Sequence, residues 1–206
     1  TISAVVTDNF NIDSVWAQIL GNNHSMSKSP DSGNYTASGG SLVSAGAGYD
    51  FSGGSYSNTS STGSVFYYVG RSNGVADGDD LGAYMSLTYN LSGIQLNKIT
   101  AFNISATYCY SGDVSPPVTC GTAMVGQNGT QKIQIYNWTS GSWVNVGDMT
   151  YDSAGAQKNS SWLINSGFSN FINNSAVQLR FQANITLNGT DDANLLMDYV
   201  NLKVST

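Results

Sequence analysis

Few side chains in this chain are equipped for chemistry. Histidine occurs once, at His24, glutamate is absent, and all thirteen acidic residues are Asp. His24 has no second His, no Glu and no nearby Cys to complete a metal site or a proton relay, so it reads as a surface-loop residue. It also sits inside the sequon Asn23-His24-Ser25, where a glycan would crowd any Ser-His-Asp arrangement. Asp77, Asp79 and Asp80 cluster in one short segment and are a candidate calcium loop. Their spacing does not match an EF-hand and no closing Glu follows, so a solvated turn is the expectation and no metal or other cofactor is called for. A glycosidase needs two positioned carboxylates. Asp could in principle serve in both roles, but the chain has no Glu; separately, it has no phosphate loop and no nucleotide fingerprint, and catalysis is not expected.

Two cysteines, Cys109 and Cys120, bracket a turn-rich insert containing Pro116 and Pro117. They are too far apart for a Cys-X-X-Cys redox pair, and nothing completes a zinc site, so one disulfide closing a short loop is expected. Trp138 and Trp143 flank Thr139-Ser140-Gly141-Ser142 in a hairpin pattern. Paired Trp rings can stack on a sugar, and they also serve as ordinary cross-strand stabilisers.

Asn-X-Ser/Thr occurs at Asn23, Asn34, Asn58, Asn90, Asn103, Asn128, Asn137, Asn159, Asn173, Asn184 and Asn188. Around Asn103 the apolar residues Phe102, Ile104, Ala106 and Tyr108 share one parity, which puts Asn103 on the opposite, polar face. Asn184 and Asn90 fall on the polar parity of their strands in the same way. Covalent N-glycans and an extracellular location are therefore expected.

Only 10% of the residues are charged, and the pI is near 4.3. The seven Lys and Arg residues are scattered, so nucleic acid is not an expected partner. No apolar run reaches the roughly 20 residues of a membrane-spanning helix, and the chain is expected to be a mature, processed form with no membrane insertion.

The elements that must position these groups read as strands. Gly, Ser, Thr, Asn and Tyr dominate, while helix formers are scarce. Residues 22–40 read as a polar loop, and Ser41–Ala45 and Tyr49–Phe51 as weak strands. Val65–Val69, Leu81–Leu91, Lys98–Tyr108, Lys132–Trp138, Trp143–Val146, Val177–Leu187 and Leu195–Val204 alternate more firmly. Leu81–Leu91 and Lys98–Tyr108 are expected side by side in mid-sheet, and the last two strands as a hairpin. Trp162–Ile172 suits a short helix or crossover. This predicts an all-β sandwich of the jelly-roll or immunoglobulin-like kind, with 13–206 as one head domain.

The N-terminal stretch alternates too. Ile2, Ala4, Val6, Phe10 and Ile12 share one parity, broken by Asp8. Residues 1–12 are thus a strand-like tail able to pair within its own sheet or to fill a groove in a neighbouring copy.

Two resemblances bear on function. Leu195-Leu196-Met197-Asp198-Tyr199-Val200-Asn201-Leu202 resembles the final strand of concanavalin-like lectins and laminarinase-type glucanases, but a chain without Glu lacks the Glu-X-Asp-X-X-Glu strand of those glucanases. The strand-like tail, single sandwich head, dense sequons and low charge together resemble the thread filament subunits of thermoacidophilic archaea. That resemblance implies a glycosylated, pilin-like surface subunit. Ile2, Ala4, Val6, Phe10 and Ile12 would be donor-strand side chains, identical subunits the partners, and a head-to-tail filament for adhesion the product. The alternative is a secreted, lectin-like carbohydrate-binding sandwich without catalysis.

Overall fold

The structure, a computed structural model, describes residues 15–19, 22–26, 32–63, 65–71, 81–112, 118–124, 126–128, 131–187 and 192–206. The donor-strand candidates Ile2, Ala4, Val6, Phe10 and Ile12 lie outside the described residues, as do Asp77, Asp79 and Asp80.

Period-two alternation is realised almost throughout. In Ala101–Ser111, Phe102, Ile104, Ala106 and Tyr108 are buried between the more exposed Asn103, Ser105 and Thr107. In Ala176–Leu187 the buried set is Val177, Leu179, Phe181, Ala183, Ile185 and Leu187. Burying each such Val, Leu, Ile or Phe contributes about 1.5–3 kcal/mol, and only facing sheets can provide that burial for so many strands.

The result is a β-sandwich. The strands are β1 (Val15–Ile19), β2 (Asn22–Met26), β3 (Ser32–Tyr35), β4 (Gly39–Gly48), β5 (Phe51–Gly53), β6 (Tyr67–Arg71), β7 (Leu81–Asn90), β8 (Ala101–Ser111), β9 (Gly126–Asn128), β10 (Lys132–Asn137), β11 (Ser142–Asp148), β12 (Lys158–Ile164), β13 (Ala176–Leu187) and β14 (Ala193–Ser205). One six-stranded sheet runs β11-β10-β13-β7-β4, with β9 also on β13. The other runs β12-β8-β14-β6-β5, with β3 also on β14. Among the described residues every pairing is antiparallel, and β1 with β2 forms a separate two-stranded sheet.

Between the sheets, Phe181, Met85 and Leu87 of the first meet Phe102, Ile104 and Leu202 of the second in one core, all at most 1% exposed. A smaller cluster lies on the outer side of the second sheet, where Leu196 packs with Phe66, Cys109 and Val118. The expected disulfide is present between Cys109 and Cys120, with Cα atoms 5.9 Å apart. This second covering explains why the first half of β14 is buried on both faces: Ala193 to Asp198 are all buried, and Leu195, Leu196 and Met197 are apolar in succession.

Asp198 itself, beside a register shift in β14, accepts hydrogen bonds from the Gly63 amide (2.8 Å) and Gln157 Nε2 (2.9 Å). It ties two loops to the strand, which is a structural role for the Asp198-Tyr199-Val200 segment.

The sheet edges β11 and β12 are sewn together by Trp162. Its indole Nε1 donates to the Asp148 carbonyl (3.1 Å), and its ring lies 6.5 Å from that of Phe181. A Cβ on Gly147 would stand 2.6 Å from Trp162 Cδ1, so only glycine permits this approach.

Several expectations change. Residues 22–40 are not one loop, because β2, β3 and the start of β4 lie within them. β7 and β8 are not neighbours: β7 is an interior strand of the first sheet and β8 of the second. Nor do β13 and β14 form a hairpin, since they too belong to opposite sheets. Alternation marks an apolar face, and consecutive strands can satisfy it by facing each other as well as by lying side by side. The connection between β13 and β14 has five residues, which at about 3.3–3.6 Å each exceeds the ~10 Å between packed sheets. Trp162 and Leu163 belong to strand β12, and the expected helix is only the single turn α1 (Phe168–Phe171).

Candidate functional site

The outer face of the first sheet is built from the polar parity of its strands. β10 buries Ile133 and Ile135 and therefore turns Gln134 and Tyr136 outward. β13 turns Gln178, Arg180 and Gln182 outward by the same rule, and β7 does so with Tyr84, Ser86 and Thr88. Register places Tyr136 opposite Trp143, Gln134 opposite both Asn145 and Arg180, and Gln182 opposite Tyr84.

Three aromatic rings and one cation meet in the middle of the face, with Lys132 at its margin opposite Asp148. The rings of Tyr136 and Trp143 meet at 5.1 Å between centroids and 65° between planes. The Arg180 guanidinium lies 3.9 Å from the Tyr84 ring centroid and 4.4 Å from that of Trp143, close enough for cation–π attraction to both. Arg180 Nε donates to Gln134 Oε1 (2.7 Å), and Gln134 Nε2 donates to Asn145 Oδ1 (2.6 Å). This chain of bonds spans β13, β10 and β11, and it anchors the guanidinium through its Nε. Partial burial lowers the Arg180 pKa from its ordinary value, with Tyr84 opposing the shift, and the group stays cationic in any ordinary medium.

The two tryptophans differ from the expected pair. β10 ends at Asn137, so Trp138 falls in the turn, and Trp143 is matched by Tyr136 instead. Trp138 braces Tyr136 edge-on at 4.8 Å, and its amide donates to the Asn170 carbonyl (2.7 Å). Its indole N–H is buried without a partner. The Asn137 side chain caps this turn by accepting from the amides of Thr139 and Ser140, both at 3.0 Å, and Gly141 closes it with φ of 65°.

Tyr136, Tyr84 and Arg180 were not singled out from sequence. The available signal was parity: each stands among the polar residues of a strand whose other face is apolar, where a ring or a lone cation is out of pattern.

A shallow hollow of about 280 Å³ lies on the other sheet, lined by Ser105, Thr107, Asn159, Ser161 and Tyr199. It offers a single ring and has a sequon asparagine in its wall, so it is the poorer site. Among the sequons, Asn34, Asn90, Asn159 and Asn173 are exposed, while Asn58, Asn103, Asn137 and Asn184 are half-buried. The side chains of Asn23, Asn128 and Asn188 lie outside the described residues, and so does that of His24. Among the described residues, no three His, Cys, Asp or Glu gather as a metal site.

A family model described as the N-terminal glycosyl-hydrolase-114-associated domain matches residues 118–199. That span holds β10, β11 and β13, and hence Tyr136, Trp143 and Arg180. The curated protein sequences include no match. Among solved structures, the chain is similar to one described as "CBM4 structure and function", at 14% identity over 85% of this chain and 95% of that one, with a TM-score of 0.36. It is also similar to a structure of infectious bursal disease virus Gx strain, at 12% identity over 98% of this chain and 45% of that one, with a TM-score of 0.31.

Proposed function

We propose that the chain is a non-catalytic carbohydrate-binding module, and that it binds through the outer face of the β11-β10-β13-β7-β4 sheet. The observation that carries this is the Tyr136–Trp143 pair standing beside a fan of amides and hydroxyls: Gln134, Asn145, Gln178, Gln182, Ser86 and Thr88. A sugar ring presents an apolar C–H face and a rim of hydroxyls, so rings surrounded by amide donors and acceptors complement both. The match of residues 118–199 to a glycosyl-hydrolase-associated domain supports the same reading, because it covers most of this face.

Catalysis has little to work with there. Among the described residues of the face, Asp148 at its margin, opposite Lys132, is the carboxylate present, and a glycosidase needs two. The disulfide favours an oxidising compartment, and with the sequons it supports secretion.

The test is affinity electrophoresis against neutral and acidic polysaccharides, with Tyr136→Ala and Trp143→Ala beside the wild type. Retarded migration in at least one polymer, lost in both variants while their unfolding midpoints hold, is the expected result. Unaltered migration in every polymer would end the proposal.

A further inference from the structure

We propose that the ligand is an acidic glycan, and that Arg180 receives a sugar carboxylate beside the ring on which Trp143 and Tyr136 pack. This rests on the carbohydrate-binding reading and narrows its ligand class.

Arg180 is an unusual residue for its position. The chain has seven Lys and Arg in total and a net charge of −6, and this cation occupies the middle of the face, on its central strand. The described ion pairs join Arg71 to Asp50 and Lys158 to Asp152, and neither includes Arg180. Opposite it across β7 stands Ser86, and across β10 Gln134. A carboxylate on the next strand would give such an arginine a stabilising cross-strand pair. Here a neutral amide takes only Nε.

What remains is a guanidinium edge with its other N–H groups uncommitted to any described carboxylate. The guanidinium lies within 4.4 Å of two ring centroids, and its Nε is anchored to the Gln134–Asn145 bridge. An arginine fixed in this way is pre-organised for a planar, two-oxygen acceptor, since its fork matches a carboxylate bidentately. The flanking rings also shield the contact from water, which strengthens it. Neutral sugars can use the amides and rings, but they leave this fork without its matching partner.

The same chemistry can come from a sulfate ester, so the experiment separates the two sources. Binding is measured by titration calorimetry for polygalacturonate, for the same polymer with its carboxyl groups reduced to alcohols, and for sulfated dextran. The proteins are wild type, Arg180→Gln, Arg180→Lys and Trp143→Ala.

Polygalacturonate should bind about tenfold or more tightly than the reduced polymer, the value of one charge-assisted hydrogen-bonded contact. Arg180→Gln should close that gap to within about twofold, and Arg180→Lys, which keeps the charge and loses the fork, should fall between. Trp143→Ala should weaken both polymers.

Equal binding of the acidic and reduced polymers, unchanged in Arg180→Gln, overturns the acidic assignment while leaving a carbohydrate-binding face. Tighter binding of sulfated dextran overturns the carboxylate assignment. Binding of none of the three by a folded wild-type protein overturns this inference, and if neutral glycans also fail, the carbohydrate reading goes with it. Unfolding midpoints of the variants separate loss of ligand from loss of structure.

Discussion

Removing the disulfide should cost this domain a measurable and calculable part of its stability. The bridge joins residues eleven apart, and in the chain-entropy model a loop of that size stabilises by about 3 kcal/mol. Cys109 is fully buried against Leu196, so the suitable perturbation is Cys109→Ala with Cys120→Ala; serine would add a buried hydroxyl without a partner. For a domain of this size, 1 kcal/mol moves the thermal midpoint by about 2–4 °C, so a shift of roughly 6–12 °C is expected. Urea unfolding followed by tryptophan fluorescence gives the free energy and its slope together. Because the bridge constrains mainly the unfolded chain, the slope should rise in the variant as that chain expands. A loss below about 1 kcal/mol with an unchanged slope would refute the entropic account. It would leave the bridge a minor brace for the outer cluster of Leu196, Phe66 and Val118.

Phe181→Ala should destabilise by about 3–5 kcal/mol in urea melts, since this fully buried ring lies at the centre of the core under Trp162. Gly147→Val should lose most folded protein at elevated temperature, as read by circular dichroism, because its Cβ would displace the Trp162 indole and open the seam between β11 and β12. Asp152 has its pKa lowered from the ordinary value of 3.8 by the Lys158 hydrogen bond, then by the Ala154 amide. A lowered folded pKa gives stabilisation that is complete above the unfolded value and lost as pH falls through the folded one. Asp152→Asn should therefore be slightly less stable than wild type at neutral pH, and the two unfolding curves should converge in acid once the pH has fallen through the folded carboxyl's lowered value.

Much of the fold was legible in the residues, and the part that was not has a physical cause. The inward faces of β7, β8 and β13 follow directly from parity: Leu81, Ala83 and Met85 are buried as the alternation requires, as are Phe102 and Ile104. Which sheet each strand joins is a different matter. Val177–Leu187 and Leu195–Val204 carry the same pattern whether they pair or face each other, and the decision rests on partners such as Tyr89 opposite Val177 and Cys109 opposite Leu196. β4 was only half seen, because Gly39 and Gly40 hide a strand whose register is set by Thr88 and Leu87 of its neighbour. The ring pair was partly legible. Trp143 was visible as an aromatic beside a turn, but its partner depends on where β10 stops, and the Asn137 side chain decides that by capping the turn at Thr139 and Ser140. From sequence Arg180 is one more polar residue on an outward parity; it gains two neighbouring rings only through Tyr84 on β7, three strands from Trp143 on β11.

The placement of β14 sets the pace at which this molecule can be made. Its thirteen residues form the axis of their sheet, bonded along one side to β8 and along the other to β6 and β3, so Tyr35 finds its partner only at Leu202. Until that strand arrives, β3, β6 and β8 have no common edge, and the inner face of the opposite sheet is only partly covered. Closure between such distant segments is the slow kind, on the order of milliseconds to seconds. During that interval Phe102, Ile104 and Phe181 are accessible to other chains. The sparse charge of the sequence does little to keep those chains apart, so association between chains competes with folding during that interval.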